Sequence, residues 1–396
     1  MLRELKRDHE ITYLALDDGS AGPKERELAA EYCHELICVP HQTTPKFSPA
    51  FYAELFTNLA SRLPYFMKKY ESHAMRREIE RLLKDQTFDV MVCDFLQPSV
   101  NVPANTSVTT VLFQHNVEAM IWKRHYEVQS NPVKRAYLYQ QWRKTWKYER
   151  SACRRFDLVI AVSVPDEQQM RNEYGLEHTA AVPTGVDVDY FSPSGIPSDK
   201  YNVVFTGSMD WLPNEDAMQY FIREIMPLVR KDIPELTLTV VGRNPYASLI
   251  ELSKRDKRIV VTGRVDDVRP YIEQASVYIV PIRIGGGTRL KIYEAMAMGK
   301  PVLSTTVGAE GLPVTNNEDV MLADSAEAFA ASLTTLLRDE KAAQALGDRG
   351  AKLVREKFGW RAVAESFAEL CEKAVSQRSV YGAAGRFDVS QSQVLS

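Results

Sequence analysis

The sequence predicts an α/β protein with two doubly wound parallel-sheet domains, and three observations lead there. Short apolar runs rich in β-branched residues recur along the chain. Each is followed by a longer stretch with helical periodicity. One stretch dense in Pro, Gly, Ser and Asp interrupts the alternation near the middle. Strands that are apolar along their whole length are buried on both faces, and helices covering both sides of a parallel sheet produce that burial.

In the first half the strand-like runs are "ITYLAL" (11–16), "VMVCDF" (90–95), "VTTVLF" (108–113) and "LVIAVS" (158–163). In the second half they are "NVVFTG", "LTLTVVG", "IVVTG", "VYIVPI", "PVLSTT" and "VMLAD". The interruption, "VPTGVDVDYFSPSGIPSDKYN" at 182–202, reads as a linker. The expected organisation is a first domain over 1–188 and a second over 189–358. A closing helix over 359–376 can return to the first domain. After about Val375 apolar periodicity ends, so 377–396 reads as a loose tail.

Composition narrows the class. A chain of 396 residues with 45% hydrophobic and 26% charged residues has a full-sized core for two domains. A net charge of -3 exerts no whole-molecule pull on nucleic acid. The five cysteines are scattered, odd in number and free of CxxC spacing, which points to a reducing compartment and against zinc or disulfide frameworks. No apolar run reaches the roughly 18 residues of a membrane-spanning helix. The start, "MLRELKRDHE", is too charged for a signal peptide. The expectation is a cytoplasmic protein.

The chemistry concentrates in "PIRIGGGTRLKIYEAMAMGKPVLST", 281–305. "VYIVPI" reads as a buried strand and Gly285, Gly286 and Gly287 as the turn at its carboxyl end. Thr288 suits an N-cap, and "RLKIYEAMAM" suits the helix, which ends near Gly299. Ligands of open α/β sheets bind beyond the carboxyl ends of the strands. Glycines let backbone N–H groups approach an anion, and a helix N-terminus favours negative charge. Arg289 and Lys291 add cations, so the site suits a phosphate or diphosphate. Glu294 lies six residues past Thr288, about 9 Å along a helix. It clears the phosphate and can accept hydrogen bonds from an attached ribose. The alternative is a tight turn with solvated cations. Two other nucleotide motifs are absent: there is no GxxxxGK[ST], and GxGxxG fails at Leu290.

With these segments in view, the sequence resembles the family 4 glycosyltransferases, retaining enzymes of the GT-B fold, over nearly the whole chain. The resemblance rests on "RFDLVIAVS", "VPTGVDVDYFSP", "VTGRVDDVRPYIEQASVYIVPI" and "GGGTRLKIYEAMAMGKPVLSTTVGAEGL". It implies two Rossmann-like domains facing a cleft, with the nucleotide-sugar donor on the C-terminal domain and the acceptor on the N-terminal one. It implies a UDP- or GDP-linked sugar as donor, a glycan or lipid-linked acceptor in polysaccharide biosynthesis, no cofactor and no metal. Glu294 matches the carboxylate that holds the donor ribose, and Gly263, Arg264 and Val265 match the segment passing the base. The loop 308–311, with Glu310, matches one near the donor. "FQHNVE" places His115 at the reacting centre. Its position agrees, at the carboxyl end of a strand with polar residues following. A packed or hydrogen-bonded histidine is the alternative.

Three departures from the family stand out. Where many members carry a first acidic residue, this chain has Gly286, which shifts sugar contacts to backbone N–H groups. The first donor-domain loop, "TGSMDWLPNEDA", lacks the usual Arg and Lys. Neutralisation of the phosphates then falls on Arg289 and Lys291, with Arg243 or Arg283 as helpers. The chain also begins at what reads as the helix after the family's first strand and glycine-rich loop. The expectation is that adding such a segment upstream raises stability and activity. Two rival readings follow: a truncated, non-catalytic nucleotide- or glycan-binding relative, and a nucleotide-sugar epimerase of the same fold.

One segment stands apart. Residues 131–155 carry eight Lys/Arg against one Glu, with Tyr137, Tyr139, Trp142, Trp146 and Tyr148 interleaved. A solvated helix with its rings packed inward explains this. So does peripheral contact with anionic lipid at the inner face of the membrane. RNA binding is disfavoured, because no RNA-binding motif accompanies the patch.

Overall fold

The computed structural model describes residues 1–284 and 289–381. Twelve strands are assigned among them: β1 (Thr12–Asp17), β2 (Glu35–Pro40), β3 (Val90–Asp94), β4 (Thr109–Gln114), β5 (Leu158–Ala161), β6 (Thr179–Ala181), β7 (Asn202–Thr206), β8 (Thr237–Val241), β9 (Ile259–Gly263), β10 (Val277–Val280), β11 (Val302–Ser304) and β12 (Met321–Leu322). Every strand pairing among them is parallel. Two compact units result: Thr184–Ala362, and Met1–Pro183 together with the chain from Val363 onward.

The second unit holds one six-stranded sheet in the order β12-β11-β10-β7-β8-β9. Strands β7 and β10 are buried at every residue, as their unbroken apolar sequence requires. The chain winds one way from β7 through β8 to β9, then returns to β10 on the other side of β7 and winds the opposite way.

The first unit differs from the single sheet expected of a doubly wound domain. It has a two-stranded sheet, β1-β2, and a separate four-stranded sheet, β3-β4-β5-β6. Strands β4 and β5 are buried throughout, whereas no residue of β1 is fully buried and Val92 of β3 is exposed. Among the described residues no strand joins β1 to β3. Two strands were not foreseen. β2, "ELICVP", begins on an exposed Glu and ends on Pro, and β6 has only three residues, two of them alanine. Neither has the long β-branched run that reveals a buried strand.

The closing helix runs from Trp360 to Tyr381, so the expectation of loose chain from Val375 is overturned through Tyr381; residues 382–396 lie outside the described residues. A polar anchor explains the extension. Arg378 donates to the Val108 carbonyl at 2.8 Å and to that of Thr106, and it pairs with Asp157. Phe367 packs edge-on to Phe113, with ring centroids 5.2 Å apart.

Residues 131–155 fold mostly as one helix, Pro132–Cys153, capped by the Asn131 side chain. Its central rings are engaged in packing. Trp142 stacks on Tyr126 of the helix Glu118–Val128, Trp146 lies edge-on to Tyr174, and the Tyr148 hydroxyl meets Ser99 at 2.8 Å. Among the described residues no helix is long and apolar enough to cross a membrane.

Candidate active site

An open α/β sheet makes its ligand crevice where the winding direction reverses, because adjacent loops there diverge to opposite faces. In the second unit that point lies between β7 and β10. The described residues after these strands are 207–211 and, on the other side, 281–284 and Arg289. The backbone is crowded at this edge. A Cβ on Gly242 would lie 1.8 Å from the Gly207 carbonyl oxygen, so no other residue fits without backbone movement. A Cβ on Gly207 would lie 2.6 Å from Lys291 Nζ.

The helix Leu290–Ala297 starts at this edge with Arg289 as its N-cap residue. Gly285, Gly286, Gly287 and Thr288 lie outside the described residues. Arg289 is buried, with its guanidinium 4.8 Å from the centre of the Trp211 ring. Burial lowers its pKa, and the Glu310 carboxylate opposes that shift. Lys291 Nζ donates to Asn214 Oδ1 at 3.1 Å and lies 4.2 Å from the centre of the Phe205 ring. Burial, then repulsion from Arg289, pushes its ammonium down to about 7, with Glu294 pulling the other way. Burial raises the Glu294 carboxyl, and Lys291 partly offsets this. Arg289 and Lys291 thus share a poorly hydrated edge with two carboxylates, Glu294 and Glu310. An anion bound here would favour the charged form of Lys291.

The remaining sequence-predicted residues surround this edge. Gly263 ends β9, and its carbonyl accepts from Gly242 N at 3.1 Å. Arg264 is exposed and Val265 packs against the core. Arg243 follows β8, is exposed, and donates from Nε to Ser208 Oγ at 2.7 Å. Arg283 is a poor phosphate helper, because it grips Asp216 with two hydrogen bonds of 3.1 and 2.8 Å. Sequence reasoning did not single out Trp211 or Asn214. Trp211 precedes and Asn214 lies in the first turn of the helix Leu212–Tyr220, in a segment noted only for lacking Arg and Lys; a Trp close after a strand was the available signal.

In the first unit His115 follows β4. Its Nε2 lies 2.7 Å from Asp94 Oδ1 at the end of β3. A carboxylate can only accept, so Nε2 carries the proton. The ring stacks on Phe95, with centroids 3.9 Å apart, and Phe113 flanks it at 4.5 Å. The loop is clamped from below by Glu149, which is fully buried. Its carboxylate accepts from Gln114 Nε2 (3.1 Å), Glu118 N (2.9 Å), Ala119 N (2.8 Å) and the Tyr174 hydroxyl (2.7 Å). Burial pushes the Glu149 carboxyl up to about 7 against these hydrogen bonds. Asp94 and Glu149 also escaped sequence reasoning. Asp94 was visible as a lone acid ending an apolar strand; Glu149 was hidden in a basic helix. Among the described residues no group of three or more His, Cys, Asp or Glu is arranged to hold a metal ion.

Two parallel-sheet units, one with Arg289 and Lys291 at its switch point, have the architecture of the GT-B glycosyltransferases. Solved structures share the fold. Anabaena HepE in complex with UDP aligns with a TM-score of 0.62 at 14% identity, covering 91% of this chain and 100% of that one. Sucrose-phosphate synthase from Thermosynechococcus elongatus aligns with a TM-score of 0.59 at 20% identity, covering 92% and 100%. The sequence matches Glycosyltransferase Family 4 over residues 1–190 and Glycosyl transferases group 1 over residues 200–339. The chain belongs to glycosyltransferase family 4. It is 28% identical over 256 residues to a D-inositol 3-phosphate glycosyltransferase of Corynebacterium glutamicum, covering 57% of this chain and 59% of the relative. It is 26% identical over 254 residues to a GDP-mannose-dependent alpha-(1-6)-phosphatidylinositol monomannoside mannosyltransferase of Mycolicibacterium smegmatis, covering 56% and 64%. A 44.6 kDa protein in the cps region of Klebsiella pneumoniae is 21% identical over 285 residues, covering 69% and 70%.

Proposed function

We propose that the protein transfers a sugar, with retention of anomeric configuration, from a UDP- or GDP-linked donor to a glycan or lipid-linked acceptor. The observation that carries this is the buried Arg289 and half-buried Lys291 at the switch-point edge, with Glu294 one turn further along the same helix. In the proposed reaction the bond from the anomeric carbon to the diphosphate oxygen breaks as the acceptor oxygen attacks from the same face. The acceptor proton passes to the departing diphosphate oxygen. Arg289 and Lys291 stabilise the charge that develops there, and Glu294 holds the ribose. His115, oriented by Asp94, positions the sugar and stabilises charge at the reacting centre; it does not act as a base. Neither a metal nor a cofactor takes part, because the two cations do the work a divalent ion would do.

Calorimetric titration with UDP and GDP, followed by incubation with the matching nucleotide-sugars and analysis of product anomers, tests the reading. Binding of one nucleotide and an axial-to-axial or equatorial-to-equatorial product are expected, with transfer intact in excess EDTA. Absence of nucleotide binding, an inverted product, or EDTA inhibition reversed by Mg²⁺ would count against it. The Klebsiella relative's place in a cps region supports a role in glycan assembly.

A further inference from the structure

A helix on a domain surface ordinarily turns its charges to water and its apolar stripe inward. The helix Pro49–Asn58 does the reverse. Its outer stripe is Tyr52, Phe56 and the C-cap residue Leu59, one and two turns apart, and they are 56%, 76% and 41% exposed. Phe47, just before the helix, is 77% exposed. The only charged side chain on the helix, Glu54, is turned inward, accepting from the Tyr65 hydroxyl at 3.0 Å and from Thr44.

This orientation is locked. Ser48 caps the first turn at 3.1 Å. At the other end Gln141 Nε2 donates to Asn58 Oδ1 at 3.1 Å, and Lys144 Nζ donates to the Asn58 carbonyl at 2.6 Å. Both donors belong to the helix Pro132–Cys153. Rolling the apolar stripe inward would break all of these.

The surroundings are basic. Residues 41–70 contain four Lys/Arg and a single carboxylate, Glu54. Residues 131–155 contain eight Lys/Arg and a single carboxylate, Glu149, which is buried. An aromatic stripe among cations, with the neighbouring Glu71 already paired to Lys68, matches a bilayer interface. Rings enter the headgroup–acyl boundary and cations meet lipid phosphates. We propose that the 47–59 face docks the protein on an anionic lipid bilayer. This deepens the lipid-linked arm of the proposed function and rests on it. It also shifts the contact from the middle of the 131–155 helix, whose rings are packed, to the helix beside it.

The test is flotation of the full chain with vesicles of phosphatidylcholine alone and of phosphatidylcholine with one-third phosphatidylglycerol. Binding at least about ten-fold stronger to the anionic vesicles is expected, and high salt should weaken it. Tyr52→Ser with Phe56→Ser should lower the anionic binding about ten-fold. Lys46→Glu with Arg62→Glu should remove the preference for phosphatidylglycerol. Circular dichroism melting checks that each variant is folded, and Phe56→Ala serves as a milder change. No vesicle binding, equal binding to both vesicle types, or folded variants that bind like the parent would overturn the inference. UDP- and GDP-induced thermal shifts on the same samples separate the two ideas. A nucleotide response without vesicle binding sinks only the docking face, and vesicle binding without any nucleotide response sinks the donor reading.

Discussion

Lys291 sits where a small change in surroundings switches its charge. Its folded pKa of about 7 lies below the ordinary lysine value, so between about pH 7 and 10.5 the folded chain holds fewer protons at this group than the unfolded chain. Stability from this residue therefore rises with pH across that window, and the cost of burying the charge is fully felt below about 7. A diphosphate would favour the ammonium. Nucleotide binding at pH 8 should then take up nearly one proton, and much less at pH 6. Calorimetry in two buffers of different ionisation enthalpy measures the uptake, and Lys291→Met should abolish it. Glu294→Ala removes a hydrogen bond to a charged group and should weaken UDP or GDP binding by about 1.5–3 kcal/mol. Unchanged nucleotide affinity in a folded Glu294→Ala variant would show that the carboxylate does not hold the ribose.

Elements meet at two places where a single residue decides whether they fit. At the carboxyl edge of β7 and β8, an added methyl on Gly242 runs into the Gly207 backbone, whereas one on Gly207 meets the ends of the Lys291 and Asn214 side chains. Backbone yields less than a side-chain tip. Gly242→Ala should cost about 1–3 kcal/mol of stability; Gly207→Ala adds backbone strain at φ 157° and should also weaken nucleotide binding by displacing Lys291. Denaturant melts and nucleotide titrations on the two variants check this, and unchanged nucleotide affinity in a folded Gly207→Ala variant would count against it. The second place is the Glu149 clamp on the helix Glu118–Val128. Its folded pKa of about 7 exceeds the ordinary carboxyl value. The folded chain then holds more protons between about pH 4.5 and 7, and stability from this group falls as pH rises through that window. Glu149→Gln should flatten that decline. Glu149→Leu strands the Glu118 and Ala119 N–H groups and should cost about 3 kcal/mol or more. Melting temperature against pH reads both.

Across the whole molecule, the first unit is assembled from both ends of the chain, with Phe367 and Arg378 completing a core begun by β4 and β5. Arg378 and Asp157 are both largely shielded. Removing the arginine leaves two carbonyls and a carboxylate short of a donor. Arg378→Ala should destabilise the first unit by about 3–5 kcal/mol while leaving nucleotide affinity in the second unchanged. Two-phase denaturation with a shift in only one phase would bear this out, and a loss of nucleotide affinity would tie the units together energetically.

Ten of the twelve strands, the family and the cationic helix start were legible in the sequence, because unbroken apolar runs and a glycine run before Arg289 and Lys291 are local signals. Local pattern could not show which long-range neighbours each side chain would meet. "VMVCDF" reads as a strand, but its Asp94 becomes a partner of His115 only when β3 and β4 lie side by side. Glu149 looks like one acid in a basic helix until the fold buries it under the "QHNVE" loop. Arg283 looks like a free cation until Asp216, 67 residues away, takes it. The outward stripe of Tyr52 and Phe56 was not singled out in the sequence, and only the packing of the opposite face turns it to solvent. Sequence patterning sets which segments become strands and helices, since backbone preference and apolar spacing act over a few residues. Burial, charge state and pairing come from residues distant in the chain, so the tertiary structure alone decided them.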